Sequence, residues 1–276
     1  MLTMKSEIAS IADVTCSVIK ALDIFYVLKG AKEAARVFAS PGMQELVKSN
    51  GLFYETSDFK VMLRNDASRC FSDSGVRNME KGESVLYIAR SGEKALEAKE
   101  AEDRNDNNKL GEILGYPECC RSFFSENIEK SKSSDLTVQS WKNSSSFYAG
   151  INTSMRCFDA CLISHFPCSF GCEDSRLIAD RNKKVIGASD ATLLNSIEAA
   201  LKGIVIYSEG IGVYKIRKYV AGNGIIEYTP EDIEPSCIND FYSLLKKGRI
   251  VILGRNRFLI GGVEVNDAHT FMAEFL

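Results

Sequence analysis

The sequence predicts an α+β fold, with helices concentrated in the first part of the chain and an antiparallel sheet at its end. In residues 1–50, apolar side chains recur every three or four positions, which is typical of amphipathic helices. From Ile204 onward, short apolar runs alternate with glycine-containing turns, which is typical of antiparallel strands. Helices and strands that are segregated along a chain favour an α+β architecture.

The N-terminal region, residues 1–108, is predicted to combine helices with two short strands. A first amphipathic helix is followed by a second helical segment at Ala31–Ala39, and Ser40 and Pro41 match the N-cap and first residue of a third. The apolar face of the first helix comprises Ile8, Ile11, Ala12, Thr15, Ile19 and Leu22. The other predicted elements are the strands Phe59–Leu63 and Ser84–Ala89 and an exposed helix within Ser91–Asn108.

The C-terminal region, residues 109–276, begins after the polar turn Asn105–Asn108, which is a soft boundary that is also compatible with one domain. Helices are predicted around Leu110–Leu114, from Pro117, from Pro167 to Asn182, over Asp190–Leu201 and around Ile238–Leu245. Residues 129–146 are predicted as a loop with some helix, and Phe158–His165 as an extended, buried segment. The predicted strands are Ile204–Tyr207, Val213–Tyr219, Ile225–Tyr228, Ile250–Leu253 and Phe258–Val265.

Composition and charge are those of an ordinary globular protein. The 276 residues are 45% hydrophobic and 26% charged, and the net charge of −3 gives no general attraction to nucleic acid or anionic membranes. No apolar run reaches the length of a membrane span, and the N-terminus lacks the features of a signal peptide, so we expect a cytoplasmic protein. In that reducing compartment, the nine cysteines indicate metal or redox chemistry rather than disulfides.

Two short segments place cysteines directly after a proline. They are Pro117-Glu118-Cys119-Cys120 and His165-Phe166-Pro167-Cys168-Ser169-Phe170-Gly171-Cys172. Proline is favoured at the first position of a helix, where its missing N–H costs nothing. A cysteine in the first turn lies at the positive end of the helix dipole, which favours the thiolate that binds metals or attacks electrophiles.

The spacing of the second segment predicts a metal site. If a helix begins at Pro167, Cys168 and Cys172 lie one turn apart on one face, and His165 folds over its end. Cys120 or Cys119 from the other segment would supply the fourth ligand. Mixed histidine and cysteine ligands favour zinc slightly, although the small residues around Cys172 would also suit an iron–sulfur cluster. The spacing does not match that of the zinc deaminases.

Catalytic candidates lie beside these ligands. Cys119, as the member of the vicinal pair that is not needed as a ligand, could meet the substrate, Glu118 could transfer protons, and Arg121 could bind an anionic substrate. The competing interpretation is that the cysteines are simply buried thiols and that the charged residues complement a helix end. That interpretation is favoured for the cysteines outside the two segments, which are Cys16, Cys70, Cys157, Cys161 and Cys237.

Both segments also resemble a known sequence pattern. Leu114 to Cys120, with Phe123 and Phe124, and later His165 to Ser175 resemble a family of uncharacterised prokaryotic proteins with Leu-Gly-Tyr-Pro-x-Cys-Cys followed by His-x-Pro-Cys-x-x-x-Cys-x-x-Ser. The resemblance is confined to residues 114–175. It implies that the two segments form one site, and it implies no particular reaction.

Three functional hypotheses follow. The first is a metal-dependent enzyme with a zinc or iron–sulfur site that acts on a small molecule. The second is a metal-free transferase in which Cys119 or Cys168 is the nucleophile and His165 its base. The third is an RNA-binding protein with a structural zinc, because the C-terminal strands carry several basic residues and two tyrosines. Those residues are Lys215, Arg217, Lys218, Lys246, Lys247, Arg249, Arg255 and Arg257, with Tyr214 and Tyr219.

Overall fold

A computed structural model of the protein describes residues 6–63, 75–128 and 135–276, and it confirms the α+β fold class. The α-helices are α1 Glu7–Thr15, α2 Val18–Leu28, α3 Met43–Ser49, α4 Gly92–Asp103, α5 Asn107–Ile113, α6 Glu118–Asn127, α7 Leu136–Lys142, α8 Glu173–Ser189, α9 Ala191–Leu201 and α10 Asp240–Leu245. The strands are β1 Ala34–Phe38, β2 Phe53–Leu63, β3 Gly75–Asn78, β4 Glu83–Ala89, β5 Gly203–Ser208, β6 Gly212–Ile216, β7 Val220–Gly222, β8 Ile225–Glu227, β9 Ile233–Pro235, β10 Arg249–Gly254, β11 Arg257–Ile260, β12 Val263–Asn266 and β13 Thr270–Phe275.

The first sheet has the strand order β1-β4-β2-β3, and all its pairs are antiparallel. Successive side chains of a strand point to opposite faces. Ala35 and Val37 accordingly face a core that contains α2, whereas Ala34 and Phe38 face a second core with α4 and α5. The sheet is therefore buried between two helical layers.

The C-terminal strands form two further antiparallel sheets, with the orders β13-β5-β6-β9 and β12-β11-β10-β8-β7. Ile206 and Tyr214 of the first share a core with Ile250 and Phe258 of the second. The opposite face of the first, which includes Phe271, packs on the helical part of the molecule. This sheet is thus the middle layer between helices and the outer sheet.

One apolar core connects the two predicted regions. It contains Phe25 and Ile88 from residues 1–108 and Trp141, Phe170 and Phe275 from residues 109–276. Two cysteines of the proline-containing segments, Cys120 and Cys172, belong to the same core. The candidate site is therefore attached to the most buried part of the molecule.

Several predictions for the N-terminal region need correction. The first helix is interrupted at Cys16, whose φ of 52° is left-handed, so that α1 and α2 are separate. The predicted helix at Ala31–Ala39 is wrong, because Ala34–Phe38 is strand β1, paired along its length with β4. Helix α3 begins at Met43 with Gly42 as its N-cap, so Ser40 and Pro41 do not start it.

The segment before α8 also differs from the prediction. No helix begins at Pro167; residues 168–172 form a turn, and α8 starts at Glu173 and continues beyond Asn182. The predicted extended segment Phe158–His165 is not a strand: Phe158 is the last residue of a 3-10 helix, Thr153–Phe158, and irregular backbone follows it. All five predicted C-terminal strands are present, but the strand predicted at Val213–Tyr219 ends at Ile216, and Phe258–Val265 is divided into β11 and β12. Strands β7, β9 and β13 were not predicted. Among the helices that the structure describes, none has the length and apolarity that a membrane crossing requires.

Candidate metal centre

The first cysteine segment lies at the start of α6. Gly115, with a φ of 74°, allows the sharp turn out of α5, and Pro117 is the N-cap of α6. The carbonyl oxygen of Pro117 accepts hydrogen bonds from the backbone N–H groups of Cys120 and Arg121. Cys119 and Cys120 therefore lie in the first turn of a helix, as the proline predicts.

The second segment is a turn that α7 holds in place. The carbonyl oxygen of Pro167 accepts a hydrogen bond of 2.6 Å from the Ser140 hydroxyl, and the N–H of Phe170 donates to the Ser144 hydroxyl at 2.7 Å. Within the turn, the N–H of Cys172 donates to the Ser169 carbonyl, and Cys172 is the N-cap of α8. The turn thus presents its cysteines at the start of a second helix.

The two segments meet, and their four sulfur atoms all lie within 4.8 Å of one another. The Sγ atom of Cys119 lies 3.8 Å from that of Cys120 and 3.6 Å from that of Cys172, and the Cys120 and Cys172 sulfurs are 3.8 Å apart. The N–H of Cys168 donates to the Cys120 sulfur at 3.3 Å. Because two helix N-termini converge on the sulfurs, this position favours negative charge.

Four thiols this close compete for a single negative charge. Burial and the hydrogen bond with Cys172 raise the pKa of Cys119 to about 12, and hydrogen bonds with Cys168 and Cys172 raise the pKa of Cys120. Hydrogen bonds from Cys120 and Cys168 lower the pKa of Cys172. The negative charge therefore concentrates on Cys172. A bound metal ion would compensate further thiolates, because it is the largest local charge.

His165 lies behind this group of sulfur atoms rather than within it. Its Nε2 atom is 2.8 Å from the Ser175 hydroxyl, which in turn is 3.2 Å from the Cys120 sulfur. The imidazole is buried, and burial together with the cations Arg156 and Lys32 lowers its pKa to about 3. A neutral histidine therefore orients a serine that contacts a cluster cysteine.

The predicted catalytic residues surround the sulfurs at the surface. The residue Cys119 is exposed, but its Sγ atom is partly buried among the other sulfurs and lies 3.5 Å from a carboxylate oxygen of Asp174. Glu118 is exposed at the start of α6. The Arg121 guanidinium turns toward α5, where it donates to the carbonyl oxygen of Asn108 at 3.2 Å. The remaining cysteines within residues 6–63, 75–128 and 135–276 lie outside the group, and Cys70 lies outside the described residues.

A cavity of about 510 Å³ adjoins the sulfur cluster, and Cys120 and His165 form part of its wall. Asp23 and Ser164 also line it, and the Lys32 ammonium donates to both of them at 2.9 and 3.0 Å. This network was not predicted from the sequence. The sequence feature that could have indicated this network is Asp23, an acidic residue in the otherwise apolar run Leu22–Val27. A buried charge requires a partner, so a cation should have been expected nearby.

Comparison with known proteins gives this chain no relative: a scan against models of protein families and searches of curated proteins and of solved structures found no match. The resemblance of residues 114–175 to an uncharacterised prokaryotic family therefore stays a prediction. Function is inferred below from the geometry of the site.

Proposed function

We propose that Cys119, Cys120, Cys168 and Cys172 bind one zinc ion, and that this closed site holds the wall of a cavity in which a small molecule binds. The observation that carries the proposal is the separation of the sulfurs, 3.6–3.8 Å for three of the pairs. A tetrahedral zinc ion with Zn–S bonds of about 2.3 Å requires sulfurs about 3.8 Å apart. The four thiols already have nearly this spacing.

The same distances favour a single ion over an iron–sulfur cluster. An iron–sulfur cluster distributes its cysteine ligands over several iron atoms, so those cysteine sulfurs must lie farther apart than sulfurs that bind one ion. Here all four lie within 4.8 Å. We therefore prefer zinc, in a reducing compartment such as the cytoplasm, where the thiols stay available.

Four sulfur ligands leave zinc no open position for water or substrate, and closed sites of this kind are structural. The zinc would join α6 to the turn at residues 168–172. Any chemistry on the small molecule would then fall to the residues of the cavity, and the prediction of a metal-dependent enzyme narrows to an enzyme whose zinc maintains the site.

The metal-free alternative receives less support. A nucleophilic Cys119 or Cys168 needs a base, and the imidazole of His165 contacts Ser175 instead. The pKa of Cys119 is raised to about 12, and that of Cys168 is raised as well, because hydrogen bonding with Cys172 and burial outweigh the lowering by Cys120. Neither thiol is therefore activated.

The basic residues of the C-terminal strands do not support RNA binding. Lys215 is buried and donates to the Ala199 carbonyl, and Arg257 pairs with Glu264 at 2.6 Å. The guanidinium of Arg255 donates to backbone carbonyls at the end of α7. Side chains with such partners serve the fold.

The first prediction tests the zinc site by elemental analysis of protein purified without oxygen. We expect about one zinc per chain, and loss of that zinc in Cys172→Ser, because a hydroxyl is a poor ligand for zinc. Cys161→Ser is the matched control, since Cys161 is equally buried but its sulfur donates to the Ile163 carbonyl outside the cluster. Iron with sulfide, or a Cys172→Ser protein that keeps its zinc, would contradict the proposal.

A further inference from the structure

The cavity beside the cluster has the size and mixed lining of a ligand site. Its volume of about 510 Å³ falls within the common range for small-molecule pockets. Apolar side chains form much of its surface, among them Ile19, Leu110, Leu114, Phe124 and Phe166. A ligand that fills this space must therefore have an apolar body.

The acidic residues of the lining already have partners. Asp23 accepts from Lys32 at 2.9 Å, and Glu102 accepts two hydrogen bonds, of 2.6 and 2.9 Å, from Arg36. Asp159 accepts from two backbone N–H groups at the start of α2, at 2.5 and 3.1 Å. None of these carboxylates needs a cation from the ligand.

Of the cations in the lining, Arg36 pairs with Glu102 and Arg156 donates to the backbone carbonyls of Ile163 and His165, whereas two others lack a short ion pair within the described residues. The Arg121 side chain is mostly buried, and its ion pair with the exposed Glu112 is long, at 3.8 Å. Its Nε atom is buried without a hydrogen-bond partner, and its Nη2 atom donates to no residue that the structure describes. Lys20 forms no ion pair within the described parts of the chain; its ammonium lies 6.0 Å from the ring of Phe38.

We propose that the cavity binds a small molecule with an apolar body and one anionic group, a carboxylate or a phosphate, for which Arg121 and Lys20 supply the positive charge. A partly buried cation that has only a long contact with an exposed carboxylate, or no carboxylate partner, is poorly compensated, and an anion in the cavity reduces that cost. This inference rests on the part of the proposed function that assigns a small molecule to the cavity. It does not require the zinc ion.

A second explanation for the weak pairing of Arg121 and Lys20 must be tested against this one. A zinc ion with four thiolates carries a net charge of −2, and Arg121 directly follows a proposed ligand in α6. The two cations would then neutralise the metal site. The two explanations differ in what a neutral substitution changes: anion affinity in the first, zinc binding in the second.

The test uses three probes that share one ring system: naphthyl phosphate, naphthoate and the neutral naphthylmethanol. By calorimetry on the full-length, zinc-loaded protein, we expect at least one of the anions to bind about tenfold tighter than the alcohol, the effect of one charge-assisted contact. The stronger of the two anions identifies the group. Equal binding of all three probes would overturn the proposal.

Arg121→Met and Lys20→Met should each reduce the anion affinity about tenfold and leave the alcohol unchanged. The aliphatic part of Arg121 packs closely on Gly111: a Cβ atom added at Gly111 would lie 3.0 Å from the Cγ and Cδ atoms of Arg121. Methionine keeps this apolar contact. Arg121→Lys should keep most of the preference, and Arg249→Met, an exposed cation of the outer sheet, is the control.

Zinc content is measured in every sample. If Arg121→Met loses zinc but retains the anion preference, the cations belong to the metal site and this proposal is wrong. If the unmodified protein holds no zinc but shows an anion preference that depends on Arg121, the zinc proposal is wrong and this one stands.

Discussion

At the scale of single residues, a chain of contacts leads from His165 through Ser175 to Cys120. The imidazole is a hydrogen-bonding partner of a hydroxyl that itself contacts a proposed ligand. Such outer contacts orient ligands and tune metal sites. Because His165 is buried beside cations, the folded protein favours its neutral form.

That neutrality predicts a pH dependence. The pKa of His165 is about 3 in the folded protein, whereas the ordinary value for histidine, which applies to the unfolded chain, is 6.5. Between these two values the unfolded chain therefore binds a proton that the folded protein does not. The contribution of His165 to the free energy of unfolding should be complete above pH 6.5. Below pH 6.5, the free energy of unfolding should fall by up to about 1.4 kcal/mol per pH unit. His165→Gln should lose this part of the slope in urea unfolding curves.

His269→Gln is the matched control, since it removes the only other histidine, which is exposed. Zinc content is measured beside each unfolding curve in all three proteins, because His165→Gln also changes the contact with Ser175 and so affects zinc release. A slope that is identical in the native protein and in His165→Gln would show that this histidine does not resist protonation.

The sequence predicted that the cysteines of the two segments belong together, because both segments place thiols directly after a proline, although only Pro117 lies at a helix start. It did not predict the position of His165. The assumed helix from Pro167 would have placed the imidazole over the cysteines. The chain instead makes a turn that Ser140 and Ser144 hold, and these long-range hydrogen bonds have no local signal.

At the scale of elements, the start of α2 is held from a distance. Asp159, in the left-handed conformation with a φ of 53°, accepts hydrogen bonds from the Ser17 hydroxyl and from the N–H groups of Val18 and Ile19. A helix has unpaired N–H groups at its start, and a side-chain acceptor there contributes about 1 kcal/mol. Asp159 thus connects α2 to the segment that leads to His165.

We predict that Asp159→Ala lowers the free energy of unfolding by about 2 kcal/mol, because it removes the acceptor and disfavours the left-handed backbone. Asp159→Asn keeps one acceptor oxygen and tolerates that backbone, so its loss should be clearly smaller. Chemical denaturation measures both. Equal losses for the two variants would mean that the capping contact is not what stabilises this junction.

Strand β1 shows why local sequence misled the prediction at this scale. Ala34 and Ala35 favour helix by intrinsic propensity, and Ala34–Phe38 shows no polar alternation because both of its faces are buried. Pairing with β4 decides the conformation, and the partner lies about fifty residues later in the chain, from Ala89 back to Val85. Propensity cannot report such a partner.

At the scale of the whole molecule, the central apolar core determines whether the N-terminal and C-terminal regions unfold together or separately. Phe25 of the N-terminal region and Phe271 of β13 belong to one buried cluster, and Phe271 stacks on Trp141 at 5.3 Å. The fold class was predictable from the distribution of helices and strands. The shared core was not, because amphipathic patterns show that a face is buried but not against which partner.

The shared core predicts that the two regions unfold together. Phe25→Ala should destabilise the protein by about 3–5 kcal/mol. Trp141, the single tryptophan, lies in the other region, so its fluorescence should report the same shift of the denaturation midpoint as circular dichroism of the whole chain. Phe53→Ala, at an exposed position, should change little. If the Trp141 signal were unaffected by Phe25→Ala, the regions would be separate domains.

Arg255 has a consequence for the order in which the chain is completed during synthesis. Its Nη2 atom donates to the carbonyl oxygens of Trp141 and Lys142 at 2.7 and 3.2 Å, and also to that of Ser144. More than one hundred residues separate donor and acceptors. During synthesis, the carbonyl groups at the end of α7 therefore gain their native partner only after residue 255 has left the ribosome. The turn at residues 168–172, which α7 supports, is synthesised much earlier.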